Sequence, residues 1–191
     1  LPEAMWVDPE SLKFDDVAQQ CDCVVIGPGL GREQWGLAIL KRTLALTCAK
    51  VLDADALYWL AGEQEVKDLY AASVGAHFIT PHSAEAARLL ARSVAEVETD
   101  RVEAACALAV AYKCVGVLKG PGSVLFDKHS TAICARGNPG MATAGMGDVL
   151  SGIAGALIAE VAVEVAPGAD ALSYAFQSAV LWHSAAADLA A

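Results

Sequence analysis

Residues 137–155 of the chain are GNPGMATAGMGDVLSGIAG, a segment with six glycines, one proline and a single acidic residue, Asp148. Its first half has the composition of a loop, and the apolar run from Val149 to Ala159 predicts a buried helix. Gly145 and Gly147 permit backbone conformations that other residues avoid. The amides of residues 145–148 could therefore turn inward together and bind an anion at the start of that helix.

Asp148 lies beside this predicted anion site, where a carboxylate would repel the anion unless it had a chemical task. We interpret Asp148 as a general base, which takes the proton from a substrate hydroxyl as that hydroxyl attacks phosphorus. The alternative is that Asp148 is only the N-cap of a helix that begins at Val149. The long glycine-rich loop before it favours the catalytic interpretation.

Short apolar runs alternate with helical patterns along the rest of the chain. Strands are predicted at 23–27, 50–55, 77–81 and 114–120, helices at 33–47, 83–91 and 99–113, and a hairpin from 123–127 and 131–135. This alternation predicts an α/β fold with a mostly parallel central sheet and helices on both faces, in three α/β/α layers. We find no internal repeat or linker, so residues 1–191 are expected to form a single domain.

Each predicted parallel strand is followed by a polar or glycine-rich segment, namely GPGLG at 27–31, DADAL at 53–57, TPHSAE at 80–85 and KGPGS at 119–123. Ligands of parallel sheets bind beyond the carboxyl ends of the strands. These four segments and the loop before Asp148 therefore predict one cleft. KGPGS could contact a nucleotide phosphate or ribose, although a tight turn between two strands explains the same residues.

The acids and the histidine in these segments leave alternatives open. Asp53 and Asp55 could coordinate a metal carried by a nucleotide, or Asp55 could simply begin the next helix. His82 could donate a hydrogen bond to a ligand or lie on the plain surface. Ser83 is the expected N-cap of the helix that follows, and Glu85 could close a capping interaction there.

Several functional classes are excluded by spacing and composition. No P-loop pattern occurs, and Gly27, Gly29 and Gly31 are two apart, which does not fit G-x-G-x-x-G. A net charge of −10 without a basic cluster argues against nucleic-acid binding. Apolar residues make up 55% of the chain, which excludes disorder, and no apolar run reaches the roughly 18 residues of a membrane span. We expect neither a nucleic-acid nor a membrane partner.

The cysteines and the first residues bear on location. None of the six cysteines forms a C-x-x-C pair, so reduced thiols in a cytoplasmic protein are expected. The first ten residues, LPEAMWVDPE, have neither the basic start nor the apolar core of a signal peptide.

In order, GPGLG, DADAL, TPHSAEAARLL, LKGPGS and GNPGMATAGMGDVLSGIAGAL resemble the motifs of the ADP/ATP-dependent NAD(P)H-hydrate dehydratases, a family of the ribokinase-like superfamily. The resemblance covers nearly the whole chain, and TPHSAEAARLL and GNPGMATAGMGDVLSG are its specific parts. It implies a ribokinase-like fold and a carbon–oxygen lyase that repairs hydrated NADH and NADPH. In such a reaction a nucleotide phosphorylates the ring hydroxyl, phosphate leaves, and the double bond is restored.

The resemblance also implies roles for individual residues. Asp148 would deprotonate the hydroxyl, while amides near Gly145 and Gly147 would hold the phosphoryl group. The implied nucleotide contacts are Lys119, Gly120, Pro121, Gly122, Ser123, Asn138, Met146 and Gly147. The implied substrate contacts are Gly29, Gly31, His82, Glu85, Gly145 and Asp148.

The implied cofactors and partners follow from the same family. GNPGMAT resembles the bacterial form of the loop, which goes with ADP as phosphoryl donor rather than ATP. Mg²⁺ is expected to come with the nucleotide, without a metal site built by the protein. A fused or separate hydrate epimerase and a homo-oligomer are expected. Members also begin with a further segment and end with a tail, so the sequence resembles a domain that is incomplete at both ends.

Two other functions fit parts of the sequence. A kinase of the same superfamily, acting on a small hydroxymethyl vitamin precursor, would need the same activated hydroxyl facing a phosphate. A non-catalytic nucleotide-binding module would need only the glycine loops. TPHSAEAARLL favours the dehydratase over both.

Overall fold

The computed structural model describes residues 5–11, 13–163 and 168–190. The first four residues of LPEAMWVDPE therefore lie outside the described residues. Six strands form one sheet: β1 (Cys23–Ile26), β2 (Ala49–Leu52), β3 (His77–Ile79), β4 (Val115–Leu118), β5 (Val124–Phe126) and β6 (Thr131–Ile133). All six correspond to predicted strands, and β5 and β6 form the predicted antiparallel hairpin.

The helices of the described residues are α1 (Lys13–Ala18), α2 (Gln34–Leu44), α3 (Ala54–Gly62), α4 (Gln64–Ala72), α5 (Ser83–Leu89), α6 (Val94–Thr99), α7 (Arg101–Tyr112), α8 (Met146–Ala162) and α9 (Ala169–Leu189). A 3₁₀ turn, Pro139–Met141, precedes α8. Helices α2, α5 and α7 confirm the three predicted from periodicity. The helix predicted from Val149 is wrong at its start, because α8 begins at Met146.

The strand order in the sheet is the same as the order along the chain, β1 to β6. Strands β1 to β4 are parallel, so each connection between them crosses over in the same direction. Right-handed crossovers then place all of their helices, α2 to α7, on one face of the sheet. Helices α8 and α9 cover the other face. The predicted three-layer α/β/α arrangement is confirmed.

Side chains alternate between two apolar clusters, one on each face of the sheet, because strand residues point to opposite faces in turn. Leu52 and Ile79 are fully buried in the cluster under α2 to α7. Their neighbours Val51 and Phe78 are fully buried in the cluster under α8 and α9, where the Phe78 and Phe176 rings stack at 5.2 Å. Within the described residues, no helix combines the length and the apolar character needed to cross a membrane.

Lys50, at the amino end of β2, is a fully buried cation. Its ammonium donates to the carbonyl oxygens of Leu46 at 2.7 Å, Cys48 at 3.0 Å and Val74 at 2.8 Å. These bonds satisfy a charge that would otherwise be costly to bury, and they tie together the segments that enter β2 and β3. Lys50 therefore has a structural task at the amino end of β2.

Two glycines of α8 differ in their surroundings. A Cβ on Gly155 would lie 2.4 Å from Val25 Cγ2, whereas a Cβ on Gly152 would meet nothing within 4 Å. Gly155 therefore sets how closely α8 packs on β1.

We expect Gly155→Ala to lower the free energy of unfolding by about 1–3 kcal/mol, because the added methyl forces α8 and β1 apart. Gly152→Ala is the matched control. It should raise the free energy of unfolding by up to about 1 kcal/mol through helix propensity alone. Urea denaturation of both variants checks the pair, and equal effects of the two substitutions would contradict the packing role of Gly155.

Candidate active site

The loops that follow the parallel strands meet at one edge of the sheet. Lys119, after β4, forms an ion pair with Asp53, after β2, with 2.9 Å between Nζ and Oδ1. His82, after β3, pairs with Lys119 in an isolated parallel bridge. The Gly31 amide, after β1, donates to the carboxylate of Asp55 at 3.0 Å. Segments that are distant in sequence therefore form one continuous surface, as expected.

The N-terminus of α8 lies on this surface and has no side-chain cap. Gly145 is the N-cap residue with a φ of 88°, a left-handed conformation that favours glycine. The Met146 amide donates weakly to the Thr143 carbonyl at 3.4 Å. Among the described residues, the amides of Gly147 and Asp148 have no acceptor. Two free donors therefore sit at the positive end of a 17-residue helix.

Asp148 is the third residue of α8, and its side chain is exposed and makes no capping hydrogen bond. The alternative in which Asp148 is an N-cap is therefore wrong, because Gly145 occupies that position. A carboxylate in the first turn still gains from the helix dipole. Its two oxygens remain available to accept a proton or a hydrogen bond from a ligand.

A buried polar network lies directly below Gly147. A Cβ on Gly147 would be 3.3 Å from Lys119 Nζ and 3.5 Å from Asp53 Oδ2. Asp53 is only 1% exposed. Its Oδ1 accepts from Lys119 and from the Ala54 amide at 2.8 Å, and its Oδ2 accepts from Ser151 Oγ at 2.8 Å. The carboxylate of Asp53 therefore fixes the ammonium of Lys119 beneath the free amides.

The two acids of DADAL have different hydrogen-bond partners. Asp53 is the N-cap of α3, accepting from the amide of Ala54. Asp55 lies in the first turn of this helix, which agrees with the alternative that it begins the helix. Its carboxylate accepts from the Gly31 amide and from Arg32 Nε, the latter at 2.9 Å. Across the parts of the chain that the structure describes, no group of three histidines, cysteines or acids could hold a metal ion.

His82, rather than Ser83, is the N-cap of α5, so the predicted cap is wrong. Its Nδ1 accepts from the amides of Ala84 at 3.1 Å and Glu85 at 3.3 Å. Because Nδ1 accepts, the proton of the neutral ring is on Nε2. The predicted capping role of Glu85 is confirmed, since its carboxylate accepts from the His82 amide at 2.8 Å.

A cleft of about 830 Å³ opens between the KGPGS loop, the 137–147 loop and α9. His82 lines this cleft, as do all eight residues expected to contact a nucleotide. These eight are Lys119, Gly120, Pro121, Gly122, Ser123, Asn138, Met146 and Gly147. The sequence analysis missed further walls of this cleft, including Arg136, Met141, Val180, His183 and Ser184. Burial of the His183 imidazole lowers its pKa.

The other expected substrate residues, Gly29, Gly31, Glu85, Gly145 and Asp148, are not among the residues that line this cleft. Asp148 lies in the chain between Gly147 and Leu150, which both line the cleft. The Gly31 backbone is already engaged, because its amide donates to Asp55 and its carbonyl accepts from Trp59 Nε1 at 3.1 Å. Gly29 is exposed with a φ of 65°, and a Cβ there would meet nothing within 4 Å.

The 137–147 loop is held to the last turn of α9. The Gly137 amide donates to both carboxylate oxygens of Asp188, at 3.1 and 3.0 Å. Asn138 Nδ2 donates to the Ala187 carbonyl at 2.8 Å, and its Oδ1 accepts from the Gly140 amide at 2.9 Å. The side chain of Asn138 therefore shapes the loop as well as lining the cleft.

The family model described as NAD(P)H-hydrate dehydratase matches residues 2–191. The chain belongs to the NAD(P)H-hydrate dehydratase family.

Curated relatives agree with this assignment. The chain is 46% identical over 176 residues to the bifunctional NAD(P)H-hydrate repair enzyme of Vibrio cholerae, covering 92% of this chain and 33% of that protein. It is 38% identical over 162 residues to the ADP-dependent (S)-NAD(P)H-hydrate dehydratase of Neisseria meningitidis, covering 83% of this chain and 53% of that protein. The chain thus spans about a third of the bifunctional relative and about half of the other.

Solved structures share the fold. The ADP/ATP-dependent NAD(P)H-hydrate dehydratase of Bacillus subtilis, co-crystallised with ATP/Mg²⁺ and soaked with CoA, is 26% identical with a TM-score of 0.76, over 99% of this chain and 65% of that one. A ribokinase-like superfamily protein of Enterococcus faecalis is 28% identical with a TM-score of 0.79, over 99% and 63%. The predicted ribokinase-like fold is confirmed.

In this member of the NAD(P)H-hydrate dehydratase family, we expect Lys119→Met to lower the free energy of unfolding by about 3 kcal/mol, because it leaves the buried Asp53 carboxylate without its counter-charge. Asp53→Asn removes that charge. Adding Lys119→Met to Asp53→Asn should therefore cost much less than adding it to the native protein. Urea denaturation of the double-mutant cycle measures the difference, and additive effects would contradict the coupling.

Proposed function

We propose that the chain is the catalytic part of a nucleotide-dependent dehydratase that repairs hydrated NADH and NADPH. A nucleotide phosphorylates the ring hydroxyl of the hydrate. Phosphate then leaves with the electron pair of the C–O bond, the adjacent ring carbon loses a proton to solvent, and the C–H electron pair forms the ring double bond. The observation that carries this proposal is made at the start of α8. The amides of Gly147 and Asp148 have no acceptor among the described residues, and the Asp148 carboxylate beside them makes no capping hydrogen bond. A transferred phosphoryl group needs donors for its oxygens and a base for the incoming hydroxyl.

The nucleotide occupies the cleft beside Lys119 in this proposal, with its terminal phosphate at the free amides of α8. An ammonium has three N–H donors, so Lys119 can bind a phosphate oxygen while it keeps its bond to Asp53. ADP is the proposed donor, with ATP as the alternative. The name of the Neisseria meningitidis relative, an ADP-dependent dehydratase, supports ADP.

Asp148 acts as the general base in the phosphorylation step. The proton of the substrate hydroxyl moves to the Asp148 carboxylate while the hydroxyl oxygen bonds to the terminal phosphorus of the nucleotide. The bond between that phosphorus and the bridging oxygen breaks at the same time. General-base assistance contributes about 10²–10⁴-fold, and amides aimed at the phosphoryl oxygens add an electrostatic contribution.

Mg²⁺ fits the oxygen chemistry of this site. It binds through phosphate oxygens with one or two protein carboxylates rather than in a cage of protein ligands. Asp53 is nearest to Lys119 and Gly147, but its oxygens already accept from Lys119, Ser151 and the Ala54 amide. Glu85, 4.0 Å from Lys119 Nζ, and Asp148, the residue after Gly147, would therefore be the carboxylates that contact the ion. When bound, Mg²⁺ would offset the negative charge of the phosphates. We propose that it comes with the nucleotide.

In this proposal the hydrated cofactor lies at the start of α8, next to the loop after β1. The proposed contacts are the six substrate residues that the resemblance implies: Gly29, Gly31, His82, Glu85, Gly145 and Asp148. Since both backbone groups of Gly31 are engaged, its proposed contribution is the absence of a side chain. Gly29 is exposed and leaves open space beside it.

Partners and location complete the proposal. A hydrate epimerase, fused or separate, is the proposed partner, supported by the bifunctional Vibrio cholerae relative. A homo-oligomer is supported by the exposed Tyr174, Leu181 and Trp182 on α9. A cytoplasmic location is supported by all six cysteines being free thiols. We also propose that residues 1–191 belong to one domain.

Turnover is tested by mixing hydrated NADH or NADPH with the natural full-length protein and either ADP or ATP, and following the return of reduced-nicotinamide absorbance. Asp148→Asn should lower turnover at least about 100-fold and leave nucleotide affinity within threefold. Glu160→Gln, an exposed acid further along α8, is the control and should behave as the native protein.

Two results would contradict the proposal. Unchanged turnover in Asp148→Asn would remove the general-base role. Phosphorylation of a hydroxymethyl vitamin precursor without repair of the hydrates would identify a kinase instead.

Nucleotide affinity tests the position of the phosphates. Gly147→Ala places a methyl 3.3 Å from Lys119 Nζ, where the terminal phosphate would approach, so the dissociation constant for ADP should rise about tenfold, or about 1.4 kcal/mol. Gly152→Ala, in the same helix with open space around it, should leave the affinity unchanged. Titration calorimetry compares the two, and equal affinities would place the phosphates elsewhere.

A further inference from the structure

Asp188, in the last turn of α9, is separated from Gly137 by 51 residues and accepts from its amide with both carboxylate oxygens. We infer that Asp188 is a positioning residue, which holds the 137–147 loop in the form that binds the nucleotide. The inference rests on the proposed function, because the ligand of that loop is the proposed nucleotide. Asp188 itself is not among the residues that line the cleft.

The 137–147 loop has little conformational freedom at Gly137. Gly137 has a φ of 103°, and a Cβ there would lie 2.9 Å from Met141 Sδ. Asn138, the next residue, donates to the Ala187 carbonyl. Two consecutive loop residues are therefore bound to two consecutive residues of α9, and both loop residues line the cleft.

The negative charge of Asp188 is unusual for its place at the C-terminal end of α9. The C-terminal end of a helix carries partial negative charge, so a cation is favoured there and an acid is not. The last turn of α9 contains no basic residue. For α9 alone, an aspartate at this position is unfavourable. The hydrogen bond to the Gly137 amide explains why an acid stands at the end of α9. Residues that are unfavourable for their own helix or strand are expected at functional sites.

The contact between Asp188 and Gly137 joins two walls of the cleft. Val180, His183 and Ser184 of α9 form one wall of the cleft, and Gly137 and Asn138 belong to the wall formed by the loop. Asp188 therefore fixes the separation of two walls of the same cleft. The proposed general base, Asp148, lies in α8 and does not depend on this contact. Loss of Asp188 should change nucleotide affinity without changing the chemical step.

The experiment compares Asp188→Ala, Asp188→Asn and the control Glu160→Ala in the natural full-length protein. Asp188→Ala should raise the dissociation constants and KM values for ADP and ATP five- to twentyfold, with kcat within twofold of the native value. Asparagine keeps one acceptor oxygen for the Gly137 amide, so Asp188→Asn should recover much of the affinity. Glu160→Ala should match the native protein.

Two further readouts separate positioning from a general structural effect. Hydrogen exchange of the Gly137 amide, followed by NMR, should be at least tenfold faster in Asp188→Ala. The melting temperature should not fall, because the substitution removes an unfavourable charge from the end of α9.

Nucleotide affinity within twofold of native in Asp188→Ala would overturn the inference and leave the proposed function intact. A fall in kcat equal to the fall in kcat/KM would also overturn it. If the native protein bound neither nucleotide, the proposed function and this inference about its ligand would both fail. Gly137 exchange would then still show whether Asp188 restrains the loop.

Discussion

The ion pair between Lys119 and Asp53 is the contact on which the site depends. It joins the ends of β4 and β2 across the intervening β3, and it lies under the first turn of α8. Because Asp53 is almost completely buried, its charge must be matched, and Lys119 supplies the match within reach of Gly147. Ser151 and the Ala54 amide satisfy the remaining acceptor positions. The Lys119 ammonium is therefore held in place below the free amides of Gly147 and Asp148.

Two lysines at opposite edges of the sheet show how one residue type can have two tasks. Lys50 gives all three described hydrogen bonds of its ammonium to backbone carbonyls and has no exposure. Lys119 has one carboxylate partner at bonding distance and keeps 22% of its side chain exposed. A cation that is saturated by its own chain stabilises the fold, whereas a cation with spare donors can also serve a ligand.

The sequence was sufficient for the strands, the hairpin and the edge at which the glycine-rich loops meet, because these depend on local patterns and on a general rule for parallel sheets. It failed where a cap was unusual. Gly145 begins α8 through its left-handed conformation, and His82 caps α5 with an imidazole, so the start expected at Val149 and the cap expected at Ser83 were wrong. The hydrogen bonds between Asp188 and Gly137 could not be predicted from local sequence patterns, because only the tertiary fold brings these two residues together.

The chain order of the sheet has a consequence for biosynthesis. Among the described residues, helices α8 and α9 follow all six strands in the chain, and they cover the face that carries Val51, Phe78 and Val117. A nascent chain that has completed β6 therefore presents one finished layer and one bare apolar sheet surface. Until about another fifty residues leave the ribosome, that surface is open to association with other chains or with chaperones.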